Sequence, residues 1–364
     1  MKLAKYIAAS VIVVLIAMAI LIRVPQVQDR LIEGLAEDAI NNPTILPEDS
    51  LTAVVCGSRS PFPTPGRAET CILIKAGENY FVVDSGDGSV ANLRNWRIPI
   101  KNVRVLLTHL HSDHISDLND LHQHTWVAQS RAKKLDVYGP KGVENVTRGF
   151  EEAFKADYQF RNEHHGDELA PLDVAGFDPH PIDLSNPVII NEGDLKVTAF
   201  EVSHEPVEPA LGYRFDYKGR SIVISGDTRY SENIIKAANE ADVLFHEAQA
   251  NHILKILEDM SNRLGMPLRA KIFKDILSYH TTPEEAAKIA NLAKVDHLVF
   301  YHLVPAPINA IASRIFLRGV NDIRQEWTIS KDGTTVSLPI NSNAIIISKI
   351  NSGNVKIDPI PLNP

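Results

Sequence analysis

The chain of 364 residues has a net charge of −8, with 44% hydrophobic and 23% charged residues. Those fractions belong to an ordinary globular protein and exclude a disordered one, and the acidic balance argues against a general nucleic-acid binder. Two cysteines, Cys56 and Cys71, are too few for a disulfide scaffold or a thiolate zinc site. They pair if the domain lies in an oxidising compartment and are buried free thiols otherwise.

The opening stretch MKLAKYIAASVIVVLIAMAILIR places Lys2 and Lys5 before a charge-free run over 6–22, closed by Arg23. The run falls slightly short of the ~20 residues that span a bilayer, and the leading lysines favour a cytoplasmic N-terminus with the remainder exported. A cleaved signal peptide competes, because Ala17-Met18-Ala19 resembles a cleavage site, but the apolar Ile20, Leu21 and Ile22 beyond it fit that poorly. The reading adopted is an uncleaved anchor helix over 1–24. An amphipathic juxtamembrane helix and linker over 25–50 follow, with helical spacing at 27–40 between Pro25 and Pro43. The main domain would occupy 51–350 and a tail 351–364. It would lie outside the cytoplasm, periplasmic in a Gram-negative cell, or be secreted were the segment cleaved.

From residue 51 short apolar strands alternate with helical stretches. Strands are predicted at 52–56, 71–76, 80–84, 103–108, 195–202, 211–217, 221–225, 243–246 and 297–301. Helices are predicted at 89–96, 116–130, 143–156, 232–239, 253–264 and 283–293. Early hairpins followed by strand–helix alternation imply an α/β (α+β) chain, a four-layer αββα sandwich of two mixed sheets. Two stretches read as insertions. Residues 144–183 hold ten acidic and three basic residues, net −7. Residues 251–277 are helical and carry Arg263, Arg269, Lys271 and Lys274.

The chemistry concentrates in LLTHLHSDHISDL. His109, His111 and Asp113 are spaced by two, so an extended chain would point all three one way, with His114 directly after. Four such groups together are electrostatically wasteful without a cation. Three more ligand types end apolar runs: His204 after VTAFEVS, Asp227 after IVISG and His302 after HLVFY. The small Ser225 and Gly226 would let the backbone turn tightly beside a metal.

THLHSDH with later His204, Asp227 and His302, in that order, resembles the metallo-β-lactamase superfamily over most of 51–350. The resemblance implies that fold and two divalent ions, zinc or else manganese or iron. His109, His111 and His204 would hold one ion; Asp113, His114 and His302 the other, with Asp227 bridging and a hydroxide between them attacking. FHEAQ and YHTTPEEA are similar to the HEAT and His-Ser/Thr motifs of ribonuclease Z, and the stretch from Ser203 to Ile235 resembles arylsulfatase-like members of that branch. Gln249 departs from the Thr of the first motif, and Asp227 stands where true β-lactamases carry Cys, which argues against β-lactam hydrolysis. The likeness makes Asp113, Glu247 and His280 the candidate catalytic groups, the last two as an acid relay for the leaving oxygen. HTTPEEAA reads equally as a helix start capped by Thr281 or Thr282 with Pro283 in the first turn. Asp84 would support the histidine loop.

Arg59, Arg67 and Arg229 are anion-binding candidates whose simpler reading is structural, and His122, His124, His164, His165, His180, His252 and His297 lack ligand spacing. The expectation is thus a zinc-dependent hydrolase of a small anionic ester, a phosphodiester or aryl sulfate. The alternatives are a thioester or lactone hydrolase, a tRNA 3′-processing endoribonuclease, and a tethered protein with a decayed site. Export and the acidic stretch argue against nucleic acid as a partner; the likeness implies a homodimer.

Overall fold

The computed structural model describes residues 2–41, 43–351 and 354–359. The chain divides into two compact units, Met1–Thr44 and Ile45–Pro364. In the first, α1 (Lys2–Leu21) and α2 (Pro25–Asn41) are joined by a bend of 85° between residues 5–21 and 25–37. The last turn of α1 tightens as Arg23 and Val24 bond back to Ile20 and Leu21. Pro25, which has no N–H to continue the ladder, then opens α2. The membrane anchor expected over 1–24 is not confirmed. Among the described residues no single helix is long and apolar enough to cross a membrane, and only the bent pair together reaches that length and composition. The helix expected over 27–40 is present within α2.

The second unit is built on two mixed sheets. One comprises β1 (Ser50–Gly57), β2 (Cys71–Ala76), β3 (Asn79–Val83), β4 (Arg104–Leu106), β5 (Leu135–Gly139) and β6 (Phe177–Pro181). The other comprises β7 (Val188–Glu192), β8 (Leu195–Val202), β9 (Ala210–Tyr217), β10 (Arg220–Ile224), β11 (Val243–Gln249), β12 (His297–Val304) and β13 (Trp327–Ile329). The chain then returns to the first sheet with β14 (Thr334–Pro339), β15 (Ile346–Asn351) and β16 (Asn354–Pro359), giving the order β16-β15-β14-β1-β2-β3-β4-β5-β6. The second sheet runs β13-β12-β11-β10-β9-β8-β7. Each sheet is antiparallel through its hairpins and parallel where helices cross over, from β3 to β6 and from β10 to β13.

Period-two alternation explains the layering. Leu51, Ala53 and Val55 of β1 join Ile222 and Ile224 of β10 in one core between the sheets, where Phe81 and Phe215 lie 5.5 Å apart. Val54 and Cys56 face the opposite way, into a core with Val90 and Leu93 of the helix Ser89–Asn95. Val223 and Leu244 likewise meet Ala286 and Ile289 of the helix Pro283–Leu292. Helices therefore cover both outer faces.

Two expectations change and one open alternative is resolved. Residues 144–183 are no insertion: the helix Val143–Leu169 packs on β6, itself part of the first sheet. The expected tail contains β16, with residues 352, 353 and 360–364 outside the described set. Cys56 and Cys71, left open by the sequence, form a disulfide between β1 and β2. Their separation of 15 residues makes the bridge worth about 3 kcal/mol in loop-closure entropy. Reduction by dithiothreitol should accordingly lower the Tm of the protein in thermal denaturation, and an unchanged Tm would show that the bridge contributes nothing.

Candidate metal centre

β4 ends at Leu106, and the next residues are held from two sides. The Tyr213 hydroxyl, reaching out of the central core, donates to the Leu107 carbonyl at 2.6 Å. Asp84, fully buried with φ 59°, accepts the Thr108 N–H and hydroxyl, both at 2.8 Å. The same carboxylate lies 2.8 Å from His114 Nδ1, so that nitrogen carries the proton and Nε2 is left free. The support role expected of Asp84 is thus visible in its contacts.

The extended geometry expected across the motif stops at His111. That residue precedes a short helix, Ser112–Ile115, which places Asp113 and His114 on a helical turn. The break divides the motif. His109 and His111 gather with His204, while Asp113 and His114 gather with Asp227 and His302, and in each group the ligand atoms lie within 4.8 Å of one another.

The distant members arrive by separate devices. His204 follows β8, and its Nδ1 donates to the Tyr279 carbonyl at 3.0 Å, again freeing Nε2. Asp227 follows β10 through Gly226, whose φ is 65° and where a Cβ would stand 2.3 Å from the Leu211 carbonyl oxygen. Only glycine fits that turn, and the Tyr301 hydroxyl accepts its N–H at 3.1 Å. His302 has φ 43° and is the extra residue of a bulge, since Glu247 pairs Tyr301 while Ala248 pairs Leu303. The bulge turns its side chain toward the cluster. Asp227 Oδ2 then lies 3.3 Å from His114 Nε2, 3.2 Å from His302 Nε2 and 4.0 Å from His109 Nε2, between the two groups.

The donor set fits divalent cations. His114 Nε2 and Asp227 Oδ1 are buried without a hydrogen-bond partner among the described residues. Burial pushes the pKa of His109 well below the ordinary value and that of His204 down to about 4, so both rings are neutral ligands. Burial opposes charge on His114 too, yet the Asp227, Asp84 and Asp113 carboxylates outweigh it and hold its pKa well above the usual range. Buried carboxylates that favour positive charge on a neighbouring ring make the pocket hospitable to cations. His111 is the exposed member of its group.

Beside the cluster, Glu247 at the end of β11 is fully buried. Its Oε1 lies 3.2 Å from His280 Nδ1 and accepts the Thr281 N–H at 2.8 Å. Burial, then the neighbouring Asp227, raises its pKa well above the usual carboxylate value. Both readings of His280 hold together, because Thr282 forms a capping box with Glu285 and Pro283 opens the helix. The arginines are structural: Arg59 pairs Glu69 at 2.9 Å, Arg67 donates to Ser58, Ser330 and Pro307, and Arg229 pairs Glu205. His122 is a core residue accepting the Gly176 N–H, whereas His180 does have neighbours, Asp136 and Asp178. Sequence reasoning missed Tyr213, Tyr301 and the Tyr279 carbonyl, whose roles depend on contacts across the sandwich.

Two groups of buried imidazoles and carboxylates at the ends of paired sheets define a metallohydrolase of the metallo-β-lactamase fold. The chain belongs to the family described as Beta-lactamase superfamily domain, whose sequence pattern matches residues 79–303. It is similar to Ribonuclease Z of Mycobacterium bovis (strain BCG / Pasteur 1173P2), 33% identical over 259 residues, 70% of this chain and 87% of that protein. Ribonuclease Z of Mycobacterium avium (strain 104) is 31% identical over 73% of this chain and 93% of its own. In fold it is similar to the short form of human tRNase Z, with TM-score 0.57, 20% identity, and coverage of 79% of this chain and 100% of that one. It is likewise similar to the metallo-beta-lactamase fold protein YhfI from Bacillus subtilis, with TM-score 0.56, 19% identity, and coverage of 79% and 99%.

These relatives overturn the expectation that nucleic acid is no partner. Summed charge describes solubility and distant fields, not the sign of the potential at a site holding cations. Replacing Asp84 by Asn should weaken zinc binding ~10–100-fold in chelator competition. Unchanged affinity would remove Asp84 from the site.

Proposed function

We propose that this chain is a zinc-dependent phosphodiesterase that cleaves RNA, a ribonuclease Z-type endonuclease. The observation that carries the proposal is the Glu247–His280 pair, 3.2 Å apart beside His302 and within one ligand-sized group with it. The likeness at 33% identity to a ribonuclease Z supports it. His109, His111 and His204 would hold one ion; Asp113, His114 and His302 the other, with Asp227 shared. The bound ions would supply an activated water and neutralise the phosphate charge.

The chain's own groups do the rest. A ribose oxygen leaving phosphorus is a strongly basic alkoxide and needs a proton as the bond breaks. His280 is the donor in place. Its Nδ1 faces Glu247, which would orient the ring, and the other nitrogen is left for the leaving oxygen; burial pushes its pKa below the ordinary imidazole value, which makes the protonated ring a readier donor. Glu247 is itself fixed by the Thr281 N–H. Thioester hydrolysis releases a thiolate, a better leaving group with little use for this buried pair. An aryl sulfate or small aryl diester, favoured by the sequence alone, finds no counterpart among the relatives described above.

The full-length protein, stripped by chelation and reloaded with zinc, should cleave a precursor tRNA or a single-stranded RNA. It should be inactive when stripped and should leave p-nitrophenyl sulfate intact. Replacing His280 by Ala should slow RNA cleavage by roughly 10²–10⁴-fold while sparing bis-p-nitrophenyl phosphate, whose leaving group needs no acid. Turnover of the sulfate but not RNA would reverse the assignment.

A further inference from the structure

Gln249 occupies the position at which the sequence departs from the ribonuclease motif, and it is fully buried at the end of β11. Two residues upstream on the same strand stands Glu247. The backbone N–H of Gln249 donates to the Thr281 carbonyl at 2.8 Å. Its side-chain Nε2 donates to the Ile276 carbonyl at 2.8 Å and to Asn251 Oδ1 at 2.7 Å, using both amide protons. One residue thus grips the segment 276–281 at its entry and its exit.

Two functional contacts lie between those grips. The Tyr279 carbonyl orients His204 through Nδ1, and His280 faces Glu247. We propose that Gln249 is a positioning residue that holds this segment in register with β11, so that one carboxamide sets both the acid and the His204 ring. A threonine at this position, two carbons shorter, would not span to the Ile276 carbonyl, so the departure from the motif accompanies a tether of this chain's own. Asn251 completes it: it opens the helix Asn251–Arg263, and its side-chain Oδ1 accepts the second amide proton, fixing the carboxamide's rotation. The amide oxygen has no partner among the described residues, so the donors alone carry the attachment. Loss of the donors would leave a buried carbonyl unpaired and release the loop without touching any ligand side chain.

The inference rests on the proposed RNA hydrolysis for its kinetic test and on the protein alone for its physical one. In Q249M, of similar length but without donors, amide exchange of peptides covering 276–282 should quicken while the sheets stay protected. With zinc saturating, kcat on RNA should fall ~10–100-fold, KM should hold, and turnover of bis-p-nitrophenyl phosphate, which depends on the His204 ring but not on the acid, should fall less. Should Q249M fail to fold, Q249T, whose shorter side chain does not reach the Ile276 carbonyl, carries the same readings. Unchanged exchange, or an equal loss on both substrates, overturns the proposal. A wild-type protein inactive on both substrates would defeat the proposed function, and the exchange result alone would then decide the role of Gln249.

Discussion

Three carboxylates, Asp84, Asp113 and Asp227, are buried at one end of the sandwich, and buried charge of one sign is untenable without compensation. The rest of the site follows from that constraint. Three histidines, His109, His114 and His302, lie within 4.0 Å of the Asp227 carboxylate, and that carboxylate stands between the two ligand groups. Divalent cations meet the same need with more charge per volume, and they turn an electrostatic liability into a means of activating water. Asp84 does not join either group; it spends its lone pairs on Thr108 and His114 and so fixes the loop that the others depend on.

The same tyrosines belong to the core and to the site. Tyr213 and Tyr301 are buried between the sheets, yet their hydroxyls meet Leu107 and Gly226, next to the residues carrying His109 and Asp227. A tyrosine has an apolar body to bury and one polar atom that must find a partner. Here that partner is the backbone of a ligand loop, so packing of the sandwich and placement of the ligands are one structural fact. His302 shows the cost: its left-handed backbone is held inside β12, whose pairing with β11 is kept on either side of it.

Much of this was legible in the chain. Apolar alternation located the central strands, and the spacing of His109, His111, Asp113 and His114 located the cluster. Short or half-exposed strands such as β6, β7 and β13 were missed because their sequences lack a continuous apolar pattern; FDPHP carries two prolines tolerated only at an edge. The alternation argument also failed inside the motif, where the backbone turns helical at Ser112 and sends Asp113 and His114 to a different group from His109. Residue types announced the chemistry; the partition needed the backbone. The Tyr279 carbonyl and the Gln249 tether were invisible for a related reason, since backbone acceptors have no residue signature.

Net charge misled in the other direction. An acidic total and an acidic helix argued against nucleic acid, but the helix Val143–Leu169 belongs to β6, the edge strand of the first sheet, and its tally says nothing of the field at the ligand cluster. The central claim is that seven side chains from four separate places in the chain cage a pair of cations. Elemental analysis of the purified full-length protein, before and after replacing Asp227 by Ala, tests it most directly. The account predicts about two zinc equivalents per chain, dropping in the variant; a protein that binds none, or keeps its full complement without Asp227, would contradict it.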